Sequence, residues 1–372
     1  MSSSAPGIED KVNYKRHAVL HMVRRMRGIG RLELARNLHI SNSRVCDLVQ
    51  LMLDEQLLIE DHPGSDRRGR RGVPVMANPK YGHLLGFDME AKRMRLVVVD
   101  FSGEMVWSDH RVLGSVRTRQ GFVDSTLNFI ENGIKRIKKD FGNLLGLGLA
   151  VSGVTDVRRG VILRHGLIES ATDIPLRDLV TDRISVPCFM DDNIRALTLA
   201  EWQEGAAQQM QDFVCVAVRT GVGAGIVING KIYAGSHGFA GEASRIPIPV
   251  GPSLTQWKTF EEVVSEHALG VDPSLEEIRI PEQRAKHVGQ WLGAQLATIA
   301  TWLDPQAIVL AGDSLRPGGP LWDHAERTFH RLVLPEIADM VQLRPARLGP
   351  FGAAIGATHL CFGGLFPAGP SA

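Results

Sequence analysis

The sequence predicts an α/β protein in which an N-terminal winged helix-turn-helix precedes a body of two similar α/β lobes around a cleft. Residues 31–74 contain two short amphipathic helical patterns, then a strand pattern and a loop rich in arginine and glycine. The rest of the chain shows two rounds of strands and helices, which is typical of two lobes. The length of 372 residues also favours two or three domains over a single core.

Charge is unevenly distributed along the chain. Residues 1–80 contain 14 Lys and Arg against 9 Asp and Glu, whereas the remainder contains 28 against 32. A basic N-terminal region on a mildly acidic body fits phosphate binding by the N-terminal region alone. We therefore expect a polyanionic partner for residues 1–80 only.

Cysteine usage and hydropathy indicate the compartment. The four cysteines are scattered without paired spacing, which favours a reducing compartment and argues against a structural zinc knuckle. No apolar run reaches the length of about 18 residues that a membrane span needs. The first ten residues lack the apolar core of a signal peptide. We expect a cytoplasmic protein with no membrane partner.

The helix-turn-helix prediction rests on apolar spacing. A basic amphipathic helix over residues 11–27 is expected to support two shorter helices, the first over residues 31–38. Ser41 is predicted to cap the second with its side-chain oxygen. That second helix would bury one apolar face, made of Val45, Leu48, Val49 and Met52. It would leave its first turn polar and outward, as a recognition helix does, with Asn42, Ser43 and Arg44 facing DNA.

The segment after the second helix predicts a β-hairpin wing. Residues 57–59 suit a strand, and residues 73–76 could return beside it, with Pro74 acceptable only at an edge. Four arginines spaced by glycines lie at the tip: Arg67, Arg68, Arg70 and Arg71. Arg70 and Arg71 are expected in the minor groove, and Arg67 and Arg68 nearer phosphates. The simpler alternative is a helical pair followed by a solvated basic loop.

The body is predicted to begin with three strands over residues 84–90, 94–100 and 105–109, followed by a helix over 121–138 and a buried strand from 144. A strand ending at Asp191, a helix over 193–205 and a strand over 213–218 come next. A glycine loop over 220–225 precedes a strand over 226–228, and a helix over 285–303 precedes a strand over 307–310. We place the domains at 1–80 for DNA binding, 81–200 for the first lobe and 201–372 for the second lobe, with its dimerisation surface.

These motifs, in this order, resemble the ROK family (repressors, open reading frames and kinases), in its transcriptional-repressor branch. The matching segments are residues 69–74, 86–88 with 99–100, 173–176, 220–225, 238–242 and 352–357. The resemblance implies a winged helix joined to an actin-like, sugar-kinase-like (ribonuclease H-like) body. It also implies a regulator, expected to be a repressor of carbohydrate metabolism, that binds double-stranded operator DNA and a sugar effector. A homodimer or homotetramer would place two heads on the half-sites of an inverted repeat.

The chain departs from the kinases of that family at the catalytic base. By the resemblance, the position of the basic aspartate holds Asn193, and the position before it holds Asp192. An amide cannot accept the proton of a sugar hydroxyl at neutral pH. A shift of one residue in the comparison would return Asp192 to the role of base.

The phosphate loops also depart from the kinase pattern. The first loop, residues 88–92, contains Glu90 where the family has a glycine, and a carboxylate there would repel an anion. In the second loop Arg219 replaces the glycine before Thr220, where it would either attract phosphate or fill the loop. We therefore expect no enzymatic activity and no bound ATP.

The resemblance implies a zinc site and a sugar pocket. Arg245 holds the position of the zinc-binding histidine, and no cysteine lies between Cys215 and Cys361, so we expect no metal and no other cofactor. Glu242 and Glu261 match the family's sugar-binding glutamates, and with Asp192 and Asn193 they are our candidates for the effector. The simpler alternatives are that Glu242 caps a turn and that Glu261 is a solvated helix residue.

Two other functions stay open from the sequence. One is an ATP-dependent sugar kinase with a regulatory DNA-binding head, in which Asp192 is the base. The other is a regulator that has lost its small ligand, which the substitution of Ala171 for an aromatic residue common in the family keeps open.

Overall fold

The computed structural model describes residues 8–61, 73–91, 93–113, 118–165, 168, 171–251, 256–270 and 280–368. Within these ranges the chain forms an N-terminal head and two lobes, each built on a five-stranded sheet. None of the described helices is both long and apolar enough to cross a membrane.

The head contains three helices and a two-stranded antiparallel sheet. Its elements are α1 (Ile8–Met26), α2 (Arg31–Asn37), α3 (Asn42–Asp54), β1 (Leu58–Glu60) and β2 (Val75–Ala77). Helix α1 begins three residues earlier than predicted, and α2 ends one residue earlier. The predicted buried face of α3 is confirmed, since Val45, Leu48, Val49 and Met52 are all buried.

The first lobe is built on a sheet with strand order β10-β6-β3-β4-β5. Its elements are β3 (His83–Glu90), β4 (Arg93–Asp100), β5 (Met105–Val112), α4 (Arg119–Asp140), β6 (Leu144–Val151), β7 (Val154–Asp156), β8 (Val161–Arg164), β9 (Thr172–Ile174), α5 (Leu176–Thr181), β10 (Cys188–Asp192) and α6 (Asn193–Gln203). The β3, β4 and β5 strands run antiparallel, while β6 is parallel to both β3 and β10. An apolar core lies between this sheet and α4.

The second lobe repeats that arrangement with strand order β13-β12-β11-β16-β17. Its elements are β11 (Phe213–Val218), β12 (Val222–Ile228), β13 (Lys231–Ile232), β14 (Pro247–Val250), β15 (Gln256–Thr259), α7 (Phe260–Val264), α8 (Glu266–Leu269), α9 (Glu282–Leu303), β16 (Ala307–Ala311), α10 (Pro320–Leu332), α11 (Pro335–Met340) and β17 (Gln342–Pro345). Again an antiparallel meander is followed by parallel strands. The prediction of two similar lobes is therefore confirmed.

The predicted glycine loop over residues 220–225 is wrong in part, because β12 begins at Val222 and pairs with β11 through these glycines. A Cβ on Gly223 would press on the Ile194 side chain, and one on Gly225 would collide with the Thr198 hydroxyl. The glycines let α6 pack closely against β12. They are needed for helix–strand contact, so the loop is limited to the turn at residues 219–221.

The last helix, α12 (Gly352–Leu365), packs against the sheet of the first lobe. A Cβ on Gly86 or Gly148 would collide with backbone carbonyls of α12, and one on Gly356 would collide with the carbonyl of Ala196 in α6. The domain boundaries stay predictions, but the final helix belongs structurally to the first lobe, although the sequence division placed it in 201–372.

The head and the body share one apolar cluster. Val19, Leu20 and Val23 of α1 lie in the same buried cluster as Phe101 and Phe362 of the body. Because this contact is apolar and continuous, the orientation of the head depends on the packing of α12.

Candidate functional site

The first turn of α3 presents the polar surface that the sequence predicted. Ser41, Asn42 and Ser43 are exposed, and Arg44 is half-buried. The predicted capping role of Ser41 is wrong: it occupies the N-cap position, but its side chain accepts no hydrogen bond from the described part of the helix. The helix starts instead on a backbone hydrogen bond from the Val45 amide to the Ser41 carbonyl, at 3.0 Å. Since this turn is largely exposed, its amides do not require a protein partner.

The stem of the predicted wing is present. Strands β1 and β2 pair from Leu58 opposite Ala77 to Glu60 opposite Val75, and the Asp61 amide donates to the Pro74 carbonyl at 3.0 Å. Pro74 precedes β2, where its missing N–H costs no ladder bond. The four arginines of the tip, Arg67, Arg68, Arg70 and Arg71, lie outside the described residues, so their DNA contacts stay predictions.

The cleft between the lobes brings three of the predicted effector residues near one another. Glu242 follows Gly241, where φ is +92° and a Cβ would collide with the Ala224 carbonyl, so the turn requires glycine. Partial loss of water raises the pKa of Glu242, and the nearby carboxylates of Asp192 and Glu261 raise it further, against the opposing effect of Arg195. This cluster of carboxylates could accept hydrogen bonds from several hydroxyl groups.

The candidate residues also have structural partners. One carboxylate oxygen of Asp192 accepts the amides of Ile194 at 2.9 Å and Arg195 at 3.1 Å, which makes it the N-cap of α6. Asn193 is buried, and its amide nitrogen donates to the Met89 carbonyl at 3.4 Å. The Asn193 contact joins the start of α6 to the end of β3, whereas the Asp192 contacts cap α6 itself. The helix cap at Asp192 and the hydrogen bond from Asn193 are structural roles, and they neither require nor exclude a ligand.

Glu261 lies in the first turn of α7, and its side chain is directed at the turn between β11 and β12. One of its carboxylate oxygens accepts the Val222 amide at 3.4 Å, and a Cβ on Gly221 would crowd the same oxygen. The residue is exposed, which fits both the effector prediction and the solvated alternative. The assignment of Asp192, Asn193, Glu242 and Glu261 to an effector therefore stays a prediction.

An ion cluster occupies the junction where the phosphate loops of the resembling kinases would meet. Arg219 Nη2 lies 2.8 Å from a carboxylate oxygen of Glu90 and 3.4 Å from one of Asp88. Arg95 Nη1 lies 3.0 Å from Asp88 and 2.8 Å from Glu90. The amide and hydroxyl of Thr220 each approach Glu90 at 3.3 Å. The cluster joins β3 of the first lobe to the β11–β12 turn of the second.

Opposite charges keep Glu90 and Arg219 of this cluster ionised against the effect of burial, whereas burial raises the pKa of Asp88 despite the same arginines. Burial alone would raise the pKa of Glu90, but Arg219, Arg95 and Arg93 lower it to about 2. Burial alone would lower the pKa of Arg219, but the two carboxylates raise it above its usual value. Arg93 also lies 3.6 Å from Glu266 of α8. The adjoining cavity of about 250 Å³ is lined by carboxylates and guanidinium groups together. A nucleotide phosphate there would face the carboxylates of Glu90, Glu266 and Asp313. Three of the arginines in the lining, Arg93, Arg95 and Arg219, are already paired with acidic side chains.

Sequence reasoning considered Glu90 and Arg219 separately and missed Arg93, Arg95 and Glu266. The register of the β3–β4 hairpin places Asp88 opposite Arg95 and Glu90 opposite Arg93. Because directly opposed side chains in a hairpin lie close together, that register could have predicted both pairs. No local signal connects either pair to Arg219.

The position of the zinc ligand in the resembling family holds Arg245, which is exposed next to Glu242. Among the residues that the structure describes, no group of three or more His, Cys, Asp or Glu side chains could hold a metal ion. The prediction of no cofactor stays a prediction.

Comparisons with known proteins agree with this geometry. Residues 84–267 match the model of the ROK family. The chain is 25% identical over 368 residues to the xylose repressor of Bacillus spizizenii, covering 94% of each chain. Its structure is similar to that of a ROK family transcriptional regulator described as a homologue of the E. coli MLC protein. The TM-score is 0.77 and the sequence identity 19%, and the match covers 96% of this chain and 98% of that chain.

A second structural similarity is to a ROK family glucokinase from Streptomyces griseus in complex with glucose and AMPPNP. Its TM-score is 0.63 at 24% identity, over 75% of this chain and 99% of that chain. The two similarities confirm the predicted fold class, an α/β chain with a sugar-kinase-like body behind an N-terminal helical head.

Proposed function

The chain belongs to the ROK family, and from that premise we propose that it is a DNA-binding transcriptional regulator, acting as a repressor. The observation that carries the proposal is the exposed polar first turn of α3 on a head whose apolar side is buried against α12. Helix-turn-helix proteins contact base edges with this turn of the recognition helix. The named repressor function of the Bacillus spizizenii relative, which is similar along almost its whole length, supports the same function here.

We further propose that a sugar or sugar derivative controls DNA binding from the cleft between the lobes. Glu242 and Glu261 would accept hydrogen bonds from sugar hydroxyl groups, and Asp192 and Asn193 would line the floor. A ligand there can shift the protein between two lobe arrangements only if it binds one of them more tightly. The name of the xylose repressor supports a sugar as the effector class.

The body is proposed not to transfer phosphate. Asn193 at the base position holds no basic lone pair, and the ion cluster of Arg219, Glu90 and Asp88 fills the junction that a nucleotide phosphate would need. The alternative, an ATP-dependent sugar kinase with a regulatory head, is favoured by the structural similarity to a glucokinase. Incubation with ATP, magnesium and a panel of hexoses separates the two, since sugar-dependent ADP formation would support the kinase.

We propose that the protein acts as a homodimer or homotetramer, because a symmetric assembly can place two heads on an inverted repeat. Helices α9 and α10 run in the same direction, with Gly289 beside Leu321 and Gly293 beside Ala325, so their C-terminal ends lie on the same side. Trp302 of α9 and Leu332 of α10 are exposed at this end, Trp302 to 84%. A second copy of the chain is the proposed partner of these side chains, and light scattering on the purified protein measures the assembly size.

DNase I footprinting on the DNA upstream of its own gene tests the function. We expect protection of an inverted repeat by the full chain, with the extent of protection changed by one of a panel of sugars. An absence of any protected region at low salt would contradict DNA binding, whereas protection without a sugar response would contradict only the effector.

A further inference from the structure

A cavity of about 590 Å³ lies between the head and the body, away from the cleft that holds Glu242 and Glu261. One wall is formed by Arg24 and Arg25 at the C-terminal end of α1 and by Arg27 in the turn after it. The opposite walls come from α12 and from the end of α6. Its volume is in the range of pockets that hold small organic molecules, about 300–1,000 Å³.

Arg24 is the unusual residue of this cavity. It is only 7% exposed, and its Nε and Nη2 atoms are buried without a hydrogen-bond partner among the described residues. Its guanidinium carbon lies 4.2 Å from the ring centroid of Phe362. Burial lowers the pKa of Arg24 to about 10, so the side chain still carries its charge at neutral pH. A buried guanidinium without a hydrogen-bonded anion is costly, which indicates a missing partner.

The carboxylate whose charge acts most strongly on Arg24, that of Glu204, is already engaged. Glu204 shares a hydrogen bond with His359 Nε2 at 2.9 Å, and Arg27 Nη2 lies 3.4 Å from its other carboxylate oxygen. Burial alone would raise the pKa of Glu204, but these partners lower it overall and keep it ionised. The cavity wall carries three guanidinium groups and one carboxylate. Arg27 is paired with Glu104 and Glu204, so the excess of positive charge in this partly enclosed space comes from Arg24 and Arg25.

The rest of the wall is suited to the carbon part of a small molecule. Phe189, Leu360 and Phe362 are apolar, and Gly363 leaves open space, because a Cβ built there meets no described heavy atom within 4 Å. Small-molecule sites combine apolar surface with charged groups that fix the orientation of the ligand, and this cavity offers both.

We propose that this cavity binds a small organic oxyanion, a phosphate monoester or a carboxylate, with Arg24 as its principal partner. The planar guanidinium group matches both oxyanions, which can accept two parallel hydrogen bonds from it. The exposed Arg25 in the same lining attracts the same charge. The proposed ligand is different from the cleft effector in place and in charge.

Binding here has a consequence that rests on the proposed function. The arginines belong to the C-terminal part of α1 and the turn after it, whereas Phe362 and Gly363 belong to α12 of the body. A ligand that contacts both walls would favour one orientation of the head and so change operator affinity. The binding test uses no DNA, so its failure and a failure of the DNA-binding function are distinguishable.

The test is isothermal titration calorimetry on the full chain at constant ionic strength, with glucose 6-phosphate, gluconate and inorganic phosphate as anionic probes and glucose as the neutral probe. Two variants alter the cavity in different ways. Arg24→Gln removes the charge, and Gly363→Leu fills the open space without touching Arg24. Arg183→Gln is the matched control, since its guanidinium pairs with Glu131 on the surface, away from the cavity.

We expect at least one anionic probe to bind, and glucose not to compete with it. Arg24→Gln should weaken binding about tenfold or more, because it removes one charge-assisted hydrogen-bonding partner. Gly363→Leu should weaken it at least as much, and Arg183→Gln should leave it unchanged. Failure of all three anions to bind would overturn the proposal. So would binding that neither Gly363→Leu nor Arg24→Gln weakens, because the anion would then occupy another site.

Discussion

Arg219 and Glu90 form an ion pair across the two lobes, with 2.8 Å between the guanidinium Nη2 and a carboxylate oxygen. Their side chains are only 12% and 5% exposed, and Asp88 beside them is fully buried. The pair therefore joins the lobes at residues that the resemblance matches to the phosphate loops of the family's kinases.

The first prediction concerns the stability that this pair provides. Arg219→Ala should lower the free energy of unfolding by about 3 kcal/mol, because it removes one partner of a buried carboxylate pair. Urea unfolding followed by circular dichroism measures the change. The matched control Arg183→Ala removes an ion pair whose side chains are 46% and 31% exposed, and should cost less than about 1 kcal/mol. Equal losses in the two variants would contradict a structural role for the cluster.

The second prediction concerns the loss of stability at acidic pH. The pKa of Glu90 is about 2 in the folded protein and 4.5 in an ordinary glutamate, so the unfolded chain takes up this proton first as pH falls. The ionised carboxylate thus stabilises the fold above pH 4.5, and that contribution is lost as pH falls toward 2. Between pH 5 and pH 3 the loss from this group should be about 2 kcal/mol. Urea unfolding at each pH should show a loss smaller by about this amount in Glu90→Gln, and parallel pH profiles would disprove the assignment.

The third prediction concerns the recognition helix. Asn42→Ala and Arg44→Ala should each weaken operator binding by about 1–3 kcal/mol and relax the preference for one base pair. Gln50→Ala is the matched control, because Gln50 is exposed on the same helix but lies away from its first turn. Its side-chain amide donates to the Asp54 carboxylate at 2.9 Å, near the C-terminal end of α3. Fluorescence anisotropy against operator and single-substituted operators measures both effects. A stronger effect of Gln50→Ala than of Asn42→Ala would place DNA on a different face of α3.

The fourth prediction concerns the wing. Arg70→Ala and Arg71→Ala should weaken operator binding and reduce its salt slope, because each removes a positive charge from the minor groove. Anisotropy titrations at several salt concentrations give that slope. If both variants bind with unchanged affinity and slope, the wing does not contact DNA.

Local patterns in the sequence were enough to predict the three helices and the two paired strands of the head. The spacing of Val45, Leu48, Val49 and Met52 predicts both the helix and its buried face, because a helix repeats every 3.6 residues whatever its surroundings. The cap at Ser41 was predicted wrongly because a serine before a helix is only a preference, and the exposed first turn does not require it.

The glycines of residues 221–225 show where composition misleads. Glycine favours loops, but it is also required wherever a backbone packs closely, as β12 does against α6. The two requirements give the same sequence signal, so only the tertiary structure distinguishes them.

The ion cluster could be predicted only in part. Asp88 lies opposite Arg95 in the β3–β4 hairpin, and the register of a hairpin can be predicted from its sequence. The approach of Arg219 to Glu90 depends on how the two lobes close on each other, and no periodicity or spacing encodes that distance. Sequence reasoning therefore left open whether Arg219 attracts phosphate or fills the loop, and its contacts with Glu90 and Asp88 favour the second.

The central claim is that the head binds duplex DNA while the kinase-like body only regulates. The most direct test is an anisotropy titration of the full chain against the footprinted duplex at rising salt, with ATP and hexose turnover followed in the same preparation. We predict saturable binding with Kd of about 10 nM or tighter, weakened by salt, and no ATP consumed. Failure to bind the duplex at low salt, together with ATP consumption on a hexose, would contradict the claim.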